Sequence, residues 1–99
     1  MEAISGALSR LLRELGLERQ LLGWRAVDGW PSWVGPRIAR HSRAVAFRDG
    51  TLFVEVEGSA WMHELGFLKR EIVRTVNRQL GADCLRDVRF TVPRGGILR

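Results

Sequence analysis

The chain has 99 residues, an apolar content of 45% and a formal net charge of +5. This length fits one small domain, and the apolar content argues against a disordered chain. No segment approaches the roughly 20 apolar residues that span a bilayer, and the N-terminus lacks the basic region followed by an apolar run that is typical of a secretion signal. The single cysteine, Cys84, excludes an internal disulfide and is typical of a reducing compartment, so a soluble cytoplasmic protein is predicted.

The N-terminal part of the sequence predicts two helices. Leucines recur at helical spacing in the first helix, and Gly16 is placed as its C-terminal cap. The second helix includes Trp24 and runs toward Trp30, where Pro31 can open a new turn but would kink a continuous helix. Residues 36–42, PRIARHS, predict a helical turn that leads into a strand.

Residues 43–58, RAVAFRDGTLFVEVEG, predict a β-hairpin. The dipeptide Asp49-Gly50 is a favoured two-residue turn, and alternating apolar residues flank it. Pairing around this turn sets Val45 opposite Val54 and Phe47 opposite Leu52. One face, predicted to be buried, carries Val45, Phe47, Leu52, Val54 and Val56. The opposite face carries Arg48, Thr51, Phe53, Glu55 and Glu57.

Residues 59–80 predict one long helix that begins at Ser59 as N-cap and is closed by Gly81. Apolar residues at steps of three or four form one stripe, predicted to be core: Trp61, Leu65, Leu68, Ile72, Val76 and Leu80. A second stripe on the other side must face solvent or a partner: His63, Phe67, Arg70, Arg74 and Arg78. Asn77 is assigned to fixing a neighbouring loop.

The last alternating segment, residues 85–92, predicts a third strand with Arg89 on its outward face. The predicted order is therefore α-α-β-β-α-β. The economical arrangement is an α+β fold in which helices cover one face of a three-stranded sheet. We expect a single domain over residues 1–92 and a short, basic, flexible tail over residues 93–99.

The segment HELG, residues 63–66, is similar to the start of a zinc-protease signature. That signature needs a second histidine four residues after the first, and Phe67 occupies this position. No serine has a histidine and an acid at a recognisable spacing, and no Gly-rich phosphate loop is present. The sequence therefore predicts no catalytic residue, no metal, no cofactor and no small-molecule substrate.

Fifteen of the sixteen basic residues are arginine, whose planar guanidinium pairs with phosphates and stacks on bases. A GC-rich coding bias also explains a preference for arginine, but not the excess of positive charge. Two groups stand out, one just before the hairpin and one along the long helix, and Arg89 adds charge to the open sheet face. The predicted nucleic-acid-binding residues are Arg37, Arg40, His41, Arg43, Arg70, Arg74, Arg78 and Arg89. A solvated helix face is the alternative for the second group.

Trp30 and Trp33 flank Pro31 and cannot both point the same way on a helix. At least one of them is expected to be partly exposed, as is typical of a protein interface. The predicted protein-interface residues are Trp30, Trp33, Phe53 and Phe67.

Several short features between residues 30 and 90 occur together, in order and at fixed spacings. They are Trp30 with Val34-Gly35, Ala39-Arg40-His41-Ser42, Asp49-Gly50-Thr51-Leu52, Ser59-Ala60-Trp61 with Glu64-Leu65, Asn77 before Leu80-Gly81, and Val88-Arg89-Phe90. In these features the chain resembles the DciA family of bacterial replicative-helicase operators. The resemblance implies a KH-like domain and no ATPase activity. It also implies a partner, the DnaB-type replicative helicase, whose loading on single-stranded DNA the family assists.

We therefore expect a non-enzymatic replication accessory protein that binds the DnaB-type helicase and single-stranded DNA, without a membrane partner. Two alternatives stay open on the sequence. One is a general single-stranded DNA- or RNA-binding KH-like module that has no helicase partner. The other is a protein-interaction domain whose arginines meet acidic residues instead of phosphates.

Overall fold

The computed structural model describes residues 2–93 and, within that span, all side chains except those of residues 2–5, 9 and 12. Its helices are α1 (Glu2–Glu14), α2 (Glu18–Val34), α3 (Pro36–Ala39), α4 (Ser59–Phe67) and α5 (Lys69–Leu80). Its strands are β1 (Ser42–Arg48), β2 (Thr51–Val56) and β3 (Asp87–Thr91). The predicted α+β class is confirmed. Apart from Pro93, the predicted tail over residues 93–99 lies outside the described residues.

The three strands form one sheet in the order β1-β2-β3. Strands β1 and β2 are antiparallel and are joined by the predicted turn, in which Asp49 and Gly50 have φ angles of 51° and 79°. Two successive positive φ angles give the turn the twist that suits a two-residue hairpin. Strand β3 runs parallel to β2, so helices α4 and α5 form the crossover that a parallel pair requires.

One register detail of the hairpin departs from the sequence prediction. Phe47 lies opposite Leu52 as predicted, but Ala44, not Val45, lies opposite Val54. A β-bulge between Ala44 and Ala46 inserts one unpaired residue, and each inserted residue reverses the facing of the side chains beyond it. The predicted burial of Val45 is therefore wrong, and the residue is 41% exposed.

Helix α2 packs against β1 and supplies the largest side chain of the core. Trp30 is fully buried, and its indole N–H donates a 2.9 Å hydrogen bond to Ser42 Oγ. Ser42 Oγ donates in turn to the carbonyl oxygen of Ile38 at 2.7 Å, so the buried polar atoms of Trp30 and Ser42 are both hydrogen-bonded. The predicted interface role of Trp30 is therefore wrong. Pro31 lies inside α2, near its end, where the helix loses one backbone hydrogen bond.

The predicted single helix over residues 59–80 is two helices. The backbone leaves helical geometry at Leu68, with φ −97° and ψ 4°, and α5 starts at the next residue. Ser59 is the first helical residue of α4, and Gly58 holds the N-cap position, so the predicted Ser59 cap is wrong. Gly81 closes α5 in the left-handed region as predicted.

The core lies between the covered face of the sheet and helices α2, α4 and α5. Its buried residues include Ala26, Trp30, Leu52, Val54, Val56, Leu65, Ile72, Val76, Leu80, Leu85 and Val88. The predicted role of Asn77 is confirmed. Its side-chain N–H donates to the carbonyl oxygen of Leu85, and its Oδ1 accepts from the Leu85 N–H, both at 2.8 Å. This pair of bonds ties the α5–β3 loop to the helix.

Candidate nucleic-acid interface

Helix α5 carries a row of arginines on the side away from the core. Ile72, Val76 and Leu80 are buried, and Arg70, Arg74 and Arg78 are exposed. Each step of four residues advances about 6 Å along the helix axis, so the three guanidinium groups follow one line. Among the described residues, no carboxylate forms an ion pair with any of the three. We call these three residues the α5 ladder.

An exposed aromatic patch precedes the α5 ladder on helix α4. Phe67 is 77% exposed, and its ring and that of His63 lie nearly perpendicular to each other at a centroid distance of 5.0 Å. Met62 and Gly66 lie beside them along a shallow groove. Because the helical geometry is interrupted at Leu68, this patch and the α5 ladder belong to two helices and not to one continuous stripe.

The predicted basic group just before the hairpin is largely neutralised within the protein. Arg37 pairs with Glu64 at 2.6 Å, His41 contacts Glu57 at 3.1 Å, and Arg43 pairs with Glu55 at 3.1 Å. These three contacts form what we call the paired cluster. The sequence prediction counted the positive members of the cluster without the acids that the fold brings to them.

Trp61 lies beneath the paired cluster. The His41 ring stacks on its indole at 4.6 Å with an angle of 19°, and the Arg37 guanidinium lies 5.1 Å from the ring centroid. Trp61 is half-buried and packs against the core, so its predicted structural role is confirmed in part. Arg40 is exposed beside the cluster and forms no ion pair within the described residues.

The uncovered face of the sheet presents a third arrangement. Phe53, on the central strand, lies opposite Ala46 of β1 and Arg89 of β3. The Arg48 guanidinium lies over the Phe53 ring, 5.0 Å from its centroid. Arg48 is absent from the predicted site residues, although the hairpin alternation had already set it on the same face as Phe53. We call Phe53, Arg48 and Arg89 the sheet platform.

The tryptophans of α2 are distributed differently from the prediction. Trp33 is half-buried, and its ring lies over the Cα of Gly29, where a methyl group would clash. Trp24 was not among the predicted site residues and is 71% exposed. It lines an apolar groove with Val45 and Phe47, at the place where Gly23 lets α2 approach β1. Gly23, Ala26 and Trp30 recur at steps of three and four and form the buried side of α2. This spacing is the sequence signal that could have identified Trp24 as outward-facing.

Cys84 is partly buried in the loop between α5 and β3. Burial raises the pKa of its thiol, and the opposing influence of Arg19 and Arg25 does not reverse this direction. In the part of the chain that the structure describes, no three metal-ligating side chains converge. Within residues 2–93, no helix combines the length and the apolar content needed to cross a bilayer.

Comparison with known proteins gives one family and several relatives. The family model described as "Dna[CI] antecedent, DciA" matches residues 3–90. A UPF0232 protein of Mycobacterium tuberculosis (strain ATCC 25618 / H37Rv) is 32% identical over 93 residues, which cover 87% of this chain and 48% of the relative. A UPF0232 protein of Corynebacterium glutamicum (strain R) is 24% identical, over 93% of this chain and 52% of the relative. A UPF0232 protein of Bifidobacterium longum (strain NCC 2705) is 33% identical, over 71% of this chain and 45% of the relative. The chain thus spans about half the length of these relatives, and none of the names designates an enzyme.

Proposed function

Because the chain belongs to the DciA family, we propose that it is a non-enzymatic replication accessory protein that binds a DnaB-type helicase and single-stranded DNA. In this proposal the protein assists the loading of the helicase on the strand. Family membership supports a replication role associated with the DnaB-type helicase at the level of the family.

The observation that carries the DNA contact is the α5 ladder. Its three guanidinium groups are exposed, form one line and have no acidic partner within the described residues. An unpaired surface arginine keeps its full charge available for a phosphate. When it binds, the counterions condensed on the nucleic acid are released, and this release supplies affinity. Phe67, exposed just before the ladder, adds a ring on which a base can stack.

The helicase contact is best supported by the apolar groove at Trp24. A tryptophan that is 71% exposed beside Val45 is the kind of anchor that protein interfaces bury. The groove lies between α2 and β1, whereas the α5 ladder projects from the outer side of α5. The protein can therefore hold the helicase and the strand through different parts of its surface.

The test of the helicase contact is a pull-down with the DnaB-type helicase of the same organism. We expect the chain to retain the helicase, and Trp24→Ala to weaken retention at least about tenfold, as for an interface hot spot. Phe67→Ala, which removes an equally exposed ring elsewhere, is the matched control and should leave retention unchanged. No retention of the helicase by the unmodified chain contradicts this half of the proposal.

The DNA contact is tested separately by fluorescence anisotropy with a labelled single-stranded oligonucleotide at several salt concentrations. We expect the affinity to fall steeply as salt rises, because phosphate contacts release counterions. DNA binding without helicase retention would indicate the general nucleic-acid module. Helicase retention without DNA binding at low salt would indicate a protein-interaction domain.

A further inference from the structure

The uncovered face of the sheet combines an aromatic ring with two cations at its centre. Phe53 lies half-buried on the middle strand, and its neighbour on β1 is Ala46, whose side chain is small. Its neighbour on β3 is Arg89, which is exposed. Arg48 reaches over the ring from the hairpin end of β1. A flat hydrophobic surface with charge on two sides is therefore held by a rigid sheet.

The acidic residues of this face are engaged by other partners. Glu55 pairs with Arg43 at 3.1 Å, Glu57 contacts His41 at 3.1 Å, and Asp87 pairs with Lys69 at 3.4 Å. Within the described residues, neither Arg48 nor Arg89 forms an ion pair. The sheet platform is thus positively charged around an aromatic ring, and its charge is not neutralised within the described part of the chain.

We infer that the sheet platform is a second binding site for single-stranded nucleic acid, distinct from the α5 ladder. A base stacks on the Arg48–Phe53 pair, since a guanidinium lying over a ring offers a second planar surface for stacking. Arg89 then binds the phosphate next to the stacked base. A base beside its phosphate offers a planar, uncharged group and an anion at short range, and this combination matches the platform.

An acidic peptide fits the same surface less well. It would satisfy the two arginines, but it would leave the centre of the platform without a planar group to stack on. A peptide that adds a strand would bind along the outer edge of β1 or β3, not across the face. The combination of central ring and lateral cations therefore favours a nucleic-acid strand.

The position of the platform makes this site independent of the proposed function. The helices pack on the covered face of the sheet, so the α5 ladder and the sheet platform lie on opposite sides of the domain. The sheet platform shares no residue with the α5 ladder or with the groove at Trp24, so loss of binding at one site leaves the others in place.

The experiment uses the full chain carrying Arg70→Gln, Arg74→Gln and Arg78→Gln, so that the ladder does not contribute. Anisotropy at low salt compares a labelled thymidine strand of about ten nucleotides with an abasic strand of the same length and charge. We expect the thymidine strand to bind roughly tenfold more tightly, because stacking requires a base. A uridine strand should bind like the thymidine strand, since stacking does not involve the sugar hydroxyl.

Substitutions at the platform locate this binding. Phe53→Leu keeps an apolar side chain of similar bulk without a π face and should remove the preference for the base-bearing strand, whereas Phe53→Trp should keep it. Arg89→Gln should weaken both strands and lower the salt slope by about 0.7. Circular dichroism and thermal melting verify that each variant is folded. Equal binding of the thymidine and abasic strands, or an unchanged preference in Phe53→Leu, overturns the inference.

Discussion

The paired cluster and the α5 ladder contain the same number of positively charged or protonatable side chains, and they differ in what surrounds them. In the paired cluster, Arg37 and Arg43 each meet a glutamate, and His41 contacts a third. In the α5 ladder, no described carboxylate reaches any arginine. A phosphate that approaches the cluster must compete with carboxylates already bound to the arginines. A phosphate that approaches the ladder meets guanidinium groups that are exposed to solvent and have no such competitor among the described residues. We therefore expect the number of arginines left unpaired by the fold to predict nucleic-acid contact better than the local density of arginine in the sequence.

The largest expected effect separates the two regions directly. Replacing Arg70, Arg74 and Arg78 together by glutamine should weaken binding to single-stranded DNA on the order of 100-fold at low salt and lower the salt slope by about 2, because three phosphate contacts are lost. The matched variant, Arg37→Gln with His41→Gln and Arg43→Gln, should change the slope by less than about 0.5. Anisotropy titrations across a salt series measure both. Equal losses in the two variants would mean that pairing does not decide which arginines bind.

The comparison can also be tested in the opposite direction. Glu55→Gln combined with Glu64→Gln releases Arg43 and Arg37 from their partners without removing either arginine. We expect the affinity for single-stranded DNA to rise about three- to tenfold and the salt slope to steepen by up to about 1.4, from two new phosphate contacts.

A matched control removes a carboxylate that has no ion pair in the described part of the chain. Asp28→Asn, on α2, changes the net charge by one unit and should raise the affinity less than Glu55→Gln or Glu64→Gln alone. A gain that is the same for all three carboxylates would indicate a general charge effect and contradict the role of pairing.

A smaller effect measures the pairing itself. Arg37 and Glu64 are both well exposed, with 65% and 48% of their side chains accessible, so their coupling in a double-mutant cycle should be about 0.5 kcal/mol. Arg37 also lies over Trp61, and the cycle with Arg37→Gln and Glu64→Gln isolates the ion pair from that contact. Urea denaturation of the four proteins gives the free energies. A coupling of zero would remove the energetic basis of the paired cluster while leaving its geometry unchanged.

Local sequence patterns predicted most of the secondary structure because the forces that set it are local. The Asp49-Gly50 turn and the Gly81 cap depend on backbone conformations that few residues adopt, so their sequence signals are strong. The bulge at Val45 has no comparable signal, since it depends on how β1 fits against β2 and α2. The break at Leu68 is similar, because an apolar residue satisfies the helical pattern in either a continuous or an interrupted helix.

The candidate site was less predictable than the fold. The α5 ladder followed from helical spacing alone, and its exposure agrees with that spacing. The pairing of Arg37 with Glu64 joins residues 27 positions apart, and no local pattern encodes such a contact. The buried position of Trp30 includes a hydrogen bond to Ser42 on another element, which no local pattern encodes. Sequence patterns thus predicted which side chains share a helix face, and tertiary contacts decided which of them are available.

The smallest expected effect concerns arginines that act on a neighbour without pairing. Burial raises the pKa of Cys84, while Arg19 and Arg25 act in the lowering direction, so fewer thiolates than usual form near neutral pH. Because the thiolate is the reactive form, alkylation by iodoacetamide should be slower in the folded chain than in urea at the same pH. Replacing Arg19 and Arg25 by glutamine removes the opposing influence and should move the midpoint of the rate–pH profile slightly upward. Arg43→Gln, at the far end of β1 and within the paired cluster, should leave the midpoint unchanged. A midpoint that moves equally in both variants would show that a paired arginine and an unpaired arginine have the same electrostatic influence on the thiol. Pairing would then decide which arginines can contact a ligand, but not how strongly an arginine acts on a distant group.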